Sequence, residues 1–208
     1  MAGKVTFKIK ARHAGRGLAR ESTSATFRGE RSFEMSWDAV SDTVCPIARS
    51  LSVVGDRWTM LILRELVMGV RRFDEIQAQT GMSSNLLSVR LKRLETDGVI
   101  ERRAYSERPK RYEYYATEKG KELDPILLLL RSWGTKWGGY AEDEDLASEL
   151  VHKETGERVH PEWRPPANGN PFSFDDVDAT LSPAFEAERA ARRTAFQNGK
   201  RSVARGAQ

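Results

Sequence analysis

Residues 80–103 read TGMSSNLLSVRLKRLETDGVIERR, and the way this run divides into elements decides the fold. Gly81 punctuates the segment before it, Ser83 stands where a helix N-cap would, and Leu87, Leu91 and Leu94 recur at i, i+4 and i+7. Gly98 lies just past the last leucine, and the strand-like run VIERRAY follows at residue 99. A helix of this kind is the second half of a helix-turn-helix if a short helix precedes the tight turn.

Upstream, RRFDEIQAQTG (71–81) supplies that short helix, with Phe73 and Ile76 facing inward. Before it, DRWTMLILRELVMG (56–69) offers Asp56 as N-cap, an apolar stripe of Trp58, Leu61, Ile62 and Leu66, and Gly69 as the stop. CPIARSLSVVG (45–55) places Ile47, Leu51 and Val54 on one side of a first helix that Gly55 ends. Downstream, VIERRAY and KRYEYYAT, separated by SERP (106–109), predict a two-stranded hairpin with a longer loop. Thr117 then caps a long fifth helix whose broad apolar face carries Leu123, Ile126, Leu127, Leu130, Trp133 and Trp137. The expected fold is mainly α with a small β-hairpin wing (α+β): a winged helix-turn-helix.

In such a fold the helix after the turn enters the major groove. With its leucines set inward, a 100° wheel turns Asn85, Val89 and Lys92 outward, with Ser88 and Arg93 on the flanks and Ser84 at the first turn. Asn85 suits an adenine edge, Val89 a thymine methyl and Ser88 several bases, whereas Lys92 and Arg93 suit phosphates. An ordinary solvated helix would share the leucine spacing, but it has no reason to lack acids until Glu95. The hairpin adds Arg102, Arg103, Arg108, Lys110 and Arg111, five cations around the single acid Glu107, a phosphate or minor-groove clamp.

The whole chain has 208 residues, 31% of them charged, and a formal net charge of +4, an excess that permits a polyanionic partner through clustering only. Residues 1–43 read as a basic, flexible arm, 44–142 as the winged-helix domain, and 143–208 as a C-terminal extension with one candidate helix at 183–197 that either packs on a dimer or stays loose. No apolar run is long enough to span a bilayer, no secretory leader is evident, and one cysteine cannot make an intrachain disulfide, so the cytoplasm is the expected compartment. Catalysis is not expected: Cys45 has no histidine near it in sequence, and no phosphate-binding loop or paired-carboxylate motif appears. The other class open to the fold is a protein-docking module without sequence-specific DNA binding.

The motifs CPI (45–47), GDRWTMLILREL (55–66), RRFDEI (71–76), LSVRLKRLETDGVIERR (87–103), RPKRYEYYATEKGKEL (108–123) and WG (133–134) together resemble the HxlR-type winged helix-turn-helix transcriptional regulators, within the MarR-like winged-helix superfamily. The resemblance implies a homodimer formed through the first and last helices of the domain, binding to palindromic double-stranded DNA, and action as a repressor or activator. It also implies a role for Cys45, since several members sense oxidants and electrophiles with the cysteine of the CPI motif. A helix N-terminus favours the anionic, reactive form of a thiol, which gives that role a mechanism; the alternative is a small apolar residue sealing the dimer. The wide face of the fifth helix is either a subunit interface or the seat of the C-terminal tail. Trp58, Leu127, Leu130, Trp133 and Trp137 are candidates for a small-molecule effector pocket or for plain core and interface.

Residues 150–172 are similar to the zinc-ribbon-like appendix of longer family members, but Thr155, Pro165 and Asn168 stand where thiol ligands would be. His152 and His160 therefore lack soft partners, and a metal-free hairpin packed near the fifth helix is expected, with no cofactor.

Overall fold

The helices ahead of the wing form where their caps and glycines place them. In the computed structural model, which describes residues 44–140, 147–161, 163 and 172–206, with side chains as far as residue 200, helix α1 spans Pro46–Val54. Pro46 lies in its first turn, where a missing N–H costs nothing. Helix α2, Thr59–Val67, is capped by Asp56, whose carboxylate accepts from the N–H groups of Trp58 (2.8 Å) and Thr59 (3.1 Å) and from the Thr59 hydroxyl (2.5 Å). Its buried face runs through Thr59, Ile62, Leu63 and Leu66, at i, i+3, i+4 and i+7. Leu61, expected in that stripe, falls to its side and is only half-buried; Leu63 takes the inward place.

Helix α3, Phe73–Thr80, ends on Gly81, whose left-handed φ of 71° lets the chain turn tightly into α4, Ser84–Thr96. The Ser83 hydroxyl caps α4 by accepting the Leu86 N–H at 3.3 Å. Leu87, Leu91 and Leu94 are buried as predicted, and with Ile62, Leu63, Leu66, Ile76, Val99 and Ile100 they form the core. Burying a side chain of this size contributes about 1.5–3 kcal/mol each.

The wing pairs β1, Ile100–Glu107, antiparallel to β2, Lys110–Ala116, from Ile100↔Ala116 to Glu107↔Lys110 with an irregularity at Tyr105. The strands run further than the sequence suggests: only Arg108 and Pro109, joined by a cis peptide, make the turn, so the longer loop is not formed.

The predicted fifth helix is two. Helix α5, Glu118–Lys121, is a single turn under a Thr117 cap, and α6, Asp124–Trp137, starts afresh with Pro125 in its first turn. Proline cannot donate the N–H that would continue α5, so the break falls just ahead of it. Gly120 lies against the Val99 carbonyl, where any Cβ would collide, and this fixes α5 under the wing.

Helix α6 buries Leu128 and Ser132; of the face the sequence nominates, Leu123 and Leu127 pack half-buried on the main core, whereas Ile126, Leu130, Trp133 and Trp137 are exposed. The C-terminal extension covers that buried side: β3, Ser148–His152, pairs antiparallel with β4, Val177–Leu181, and Leu128, Leu150 and Val177 form a second core with Trp163, Phe172 and Phe174 around it. Within 150–172 the chain does turn back on itself, with Val151 bridging Arg158 and the His152 and Val159 N–H groups donating to the Glu157 and Leu150 carbonyls at 2.8 Å, and β3 gains in β4 a longer partner beyond that range. Thr155 sits in an exposed turn, while Pro165 and Asn168 fall outside the described residues. The carboxylate of Asp124 accepts the Phe174 N–H at 3.0 Å and ties the extension to the start of α6.

The last helix, α7, spans Pro183–Gly206 and exceeds the expected 183–197 by more than two turns. It packs on α2 and α3. Arg189 is buried against Glu65 at 2.7 Å, Gln79 Nε2 donates to the Arg189 carbonyl at 3.0 Å, and Arg192 donates to the Gln79 carbonyl at 2.7 Å. The proposed arm, residues 1–43, lies outside the described residues.

Candidate nucleic-acid interface

Burial of Leu87, Leu91 and Leu94 fixes the rotation of α4, and the opposite side faces solvent. Ser84, Asn85, Ser88, Val89 and Lys92 are all exposed, Val89 to 60%. From Ser84 to Arg93 no acid interrupts this side. A short helix, a glycine turn and a second helix with such a face form the reading half of a DNA-binding unit.

Arg93 is directed elsewhere. Its Nη2 donates to the Ser52 carbonyl of α1 at 3.1 Å and its Nε lies 3.8 Å from Asp97. Arg90, which sequence reasoning did not single out, reaches Asp56 at 3.1 Å. Two arginines of α4 therefore fasten its back to the α1–α2 corner, leaving Lys92 as the cation turned outward.

Within the wing, charge is divided in the same way. Arg102 pairs with Glu95 at the end of α4 (2.9 Å) and Arg103 with Glu101 (2.5 Å), which join the hairpin to the reading helix and to itself. Arg108, Lys110 and Arg111 at the tip are exposed and have no ion-pair partner among the described residues. They are the cations available to phosphates without breaking an existing pair.

Tyrosines hold this cationic surface in shape. Arg102 lies 4.5 Å above the Tyr112 ring, Lys110 5.7 Å from the same ring, Arg103 4.4 Å above Tyr115 and Arg72 4.7 Å above Tyr105. Arg72, at the N-terminus of α3, also bonds Glu113 of β2 at 3.3 Å, and this hydrogen bond raises its guanidinium above its ordinary value. Glu113 further accepts the Tyr115 hydroxyl at 2.9 Å, which likewise raises that phenol. The alternation of tyrosine with arginine and lysine through 102–115 was the available sequence signal for these stacks.

The remaining candidates separate. Cys45 is exposed at the start of α1, with its carbonyl accepting the Arg49 N–H at 3.1 Å. Trp58 packs on the main core and Leu127 beside it, whereas Leu130, Trp133 and Trp137 stand on the outer side of α6, the tryptophans 65% and 64% exposed. Neither a cavity of about 660 Å³ between α6 and the β3/β4 sheet nor one of about 360 Å³ between α3 and the wing is lined by these residues. Among the described residues no cluster of three or more His, Cys, Asp and Glu side chains is placed to hold a metal, and no helix is long and apolar enough to cross a membrane.

Three-helix core, glycine turn, outward helix and cationic hairpin define a winged helix-turn-helix. The HxlR-like helix-turn-helix family matches residues 53–142. An uncharacterized HTH-type transcriptional regulator of Mycobacterium tuberculosis, Rv3095, is 35% identical over 144 residues, covering 69% of this chain and 90% of its own. YvaP of Bacillus subtilis, another uncharacterized HTH-type regulator, is 42% identical over 96 residues, 45% of this chain and 89% of its own. The crystal structure of PA1607, a candidate transcription factor, superimposes with a TM-score of 0.53 at 34% identity, covering 68% of this chain and 98% of that one. The chain belongs to the HxlR-like helix-turn-helix family.

Proposed function

We propose that this protein is a DNA-binding transcriptional regulator that acts as a homodimer on a palindromic operator, most simply as a repressor. The observation that carries it is the acid-free outer face of α4 set beside the exposed wing cations Arg108, Lys110 and Arg111, which have no ion-pair partner among the described residues. Asn85, Ser88 and Val89 read base edges; Ser84 and Lys92, with the wing tip, hold the backbone. Names of the relatives agree with regulation of transcription. No catalytic step is part of this function.

Dimerisation is supported by apolar surface that is exposed among the described residues. Ile47 and Leu51 of α1 and Ile126, Leu130, Trp133 and Trp137 of α6 are all exposed, Ile47 to 71%. Among the described residues the C-terminal extension covers the other side of α6, so this surface fits an isologous interface between two copies.

A response to oxidants or electrophiles through Cys45 is the finer part of the proposal. The thiol is exposed at the N-terminus of the same helix that carries Ile47 and Leu51, so an adduct or intersubunit disulfide there would alter the dimer and the spacing of the two α4 helices. Release of DNA by diamide from a Cys45→Ser protein would contradict it.

Selection from a random-sequence duplex library by the purified chain tests the function. A recurring inverted repeat is expected, with Asn85→Ala relaxing the preference at one position of each half-site by about 1–3 kcal/mol. Failure of any sequence to enrich would favour a protein-docking module.

A further inference from the structure

Sequence beyond residue 188 changes character. The first turns of α7 carry Glu186 and Glu188, whereas residues 189–208 hold Arg189, Arg192, Arg193, Lys200, Arg201 and Arg205 and no acid. Cations favour a helix C-terminus, but that effect is confined to the last turn, and Arg192 and Arg193 lie nearly four turns from the end at Gly206. A helix serving only as a brace has no need of such one-signed charge.

Its placement is fixed by contacts with α3. Arg189 and Arg192 meet Gln79 near the end of α3, and the Lys200 Nζ lies 4.0 Å from Asp74 near its start, so the two helices run antiparallel. The buried Arg189–Glu65 pair clamps the other side of α7 to α2. From Lys200 the helix continues for six residues to Gly206, about 9 Å past the beginning of α3. That end of α3 is also joined to the wing through Arg72 and Glu113.

In a helix-turn-helix the first helix crosses the DNA backbone while the second enters the groove. Here α3 is that first helix, and the cationic half of α7 lies along it. Arg193 and Lys200 are exposed, and only Asp74 opposes Lys200 among the described residues.

We infer that the C-terminal half of α7 is a third DNA-binding element, gripping phosphates outside the stretch covered by α4 and the wing without reading sequence. It rests on the proposed function and lies outside the residues matched by the family. The Arg189–Glu65 pair positions the element; Arg193 and Lys200 make the contacts. Each half-site would then require flanking duplex of any sequence for full affinity.

The test compares the full chain with a variant carrying Arg193→Gln, Lys200→Gln, Arg201→Gln and Arg205→Gln. Both bind a duplex selected by the wild type, once with long random flanks and once trimmed to the selected repeat, over a range of salt. On the long duplex the variant should bind at least tenfold more weakly at low salt, with a salt dependence shallower by about one for each lost phosphate contact. On the trimmed duplex the two should be equal, with matching circular dichroism and melting. Equal affinity and slope on both duplexes would overturn the inference while leaving the DNA-binding function intact. Failure of the wild type to select any sequence would overturn that function, and this inference with it.

Discussion

The guanidinium of Arg93 donates to the main-chain carbonyl of Ser52 at 3.1 Å, so the recognition helix is tied to α1, the helix that carries Cys45. Arg90 makes a second tie, at 3.1 Å, to Asp56, the residue that caps α2. Position on a helical wheel assigns Arg93 to phosphates, but its hydrogen bond commits it to the protein. Lys92 and Arg93 should therefore behave differently. Lys92→Gln is expected to make the salt dependence of DNA binding shallower by about one, whereas Arg93→Gln should leave the slope unchanged and lower the melting temperature. Salt titrations of the two variants check this, and equal slopes would show that Arg93 swings to DNA.

Glu65 is fully buried and shared between Arg189 (2.7 Å) and Arg64 (2.6 Å). Arg189→Met leaves that carboxylate with one partly exposed partner. Destabilisation of about 3 kcal/mol is expected, with Glu65→Gln in the same chain recovering much of it. Urea unfolding of the single and double variants measures both. If Arg189→Met is neutral, α7 is not clamped as described.

Burial raises the Asp124 carboxyl above the ordinary carboxylate range, against the Phe174 N–H and Lys121, which lower it. The folded chain thus holds this proton more tightly than the unfolded one. Its contribution to stability is fully present below the unfolded value, about 3.9, and is lost as pH rises through the folded value. Asp124→Asn keeps an acceptor for Phe174 and removes the charge, so it should melt a few degrees higher than wild type near neutrality and equally in acid. A lower melting temperature at neutral pH would show that the charge is needed.

The outer face of α6 supplies a test of the dimer. Replacing both Trp133 and Trp137 by Ser removes the two largest exposed apolar side chains of the helix. Dimer dissociation should become about a hundredfold or more easier, with monomers at micromolar concentration in sedimentation. A protein that is already monomeric before substitution would refute the proposed interface.

Local signals made the first half of the domain readable. Ser83, Gly81 and the three leucines of α4 act within one or two turns of themselves, and Asp56 caps α2 through groups two and three residues away. What failed depended on remote partners. The face that α6 buries was set by β3 and β4, so the leucine-rich run could not reveal that Leu128, rather than Leu130, points inward. Glu65 and Arg189 are separated by 124 residues, and neither shows in its own segment why it is buried. Among the candidate DNA contacts the exposed positions were legible from periodicity, but the division into paired and available cations was not, because Arg102 and Arg93 found partners on other elements.

The most direct measurement of the central claim is the salt dependence of affinity for a selected duplex, wild type against a chain with Arg108→Gln, Lys110→Gln and Arg111→Gln. DNA recognition by α4 with a phosphate-gripping wing predicts steep weakening with salt for the wild type. For the variant it predicts a slope shallower by about one for each wing contact, with the same sequence still preferred. Affinity that ignores salt in the wild type, or a slope unmoved by loss of the three cations, would contradict it.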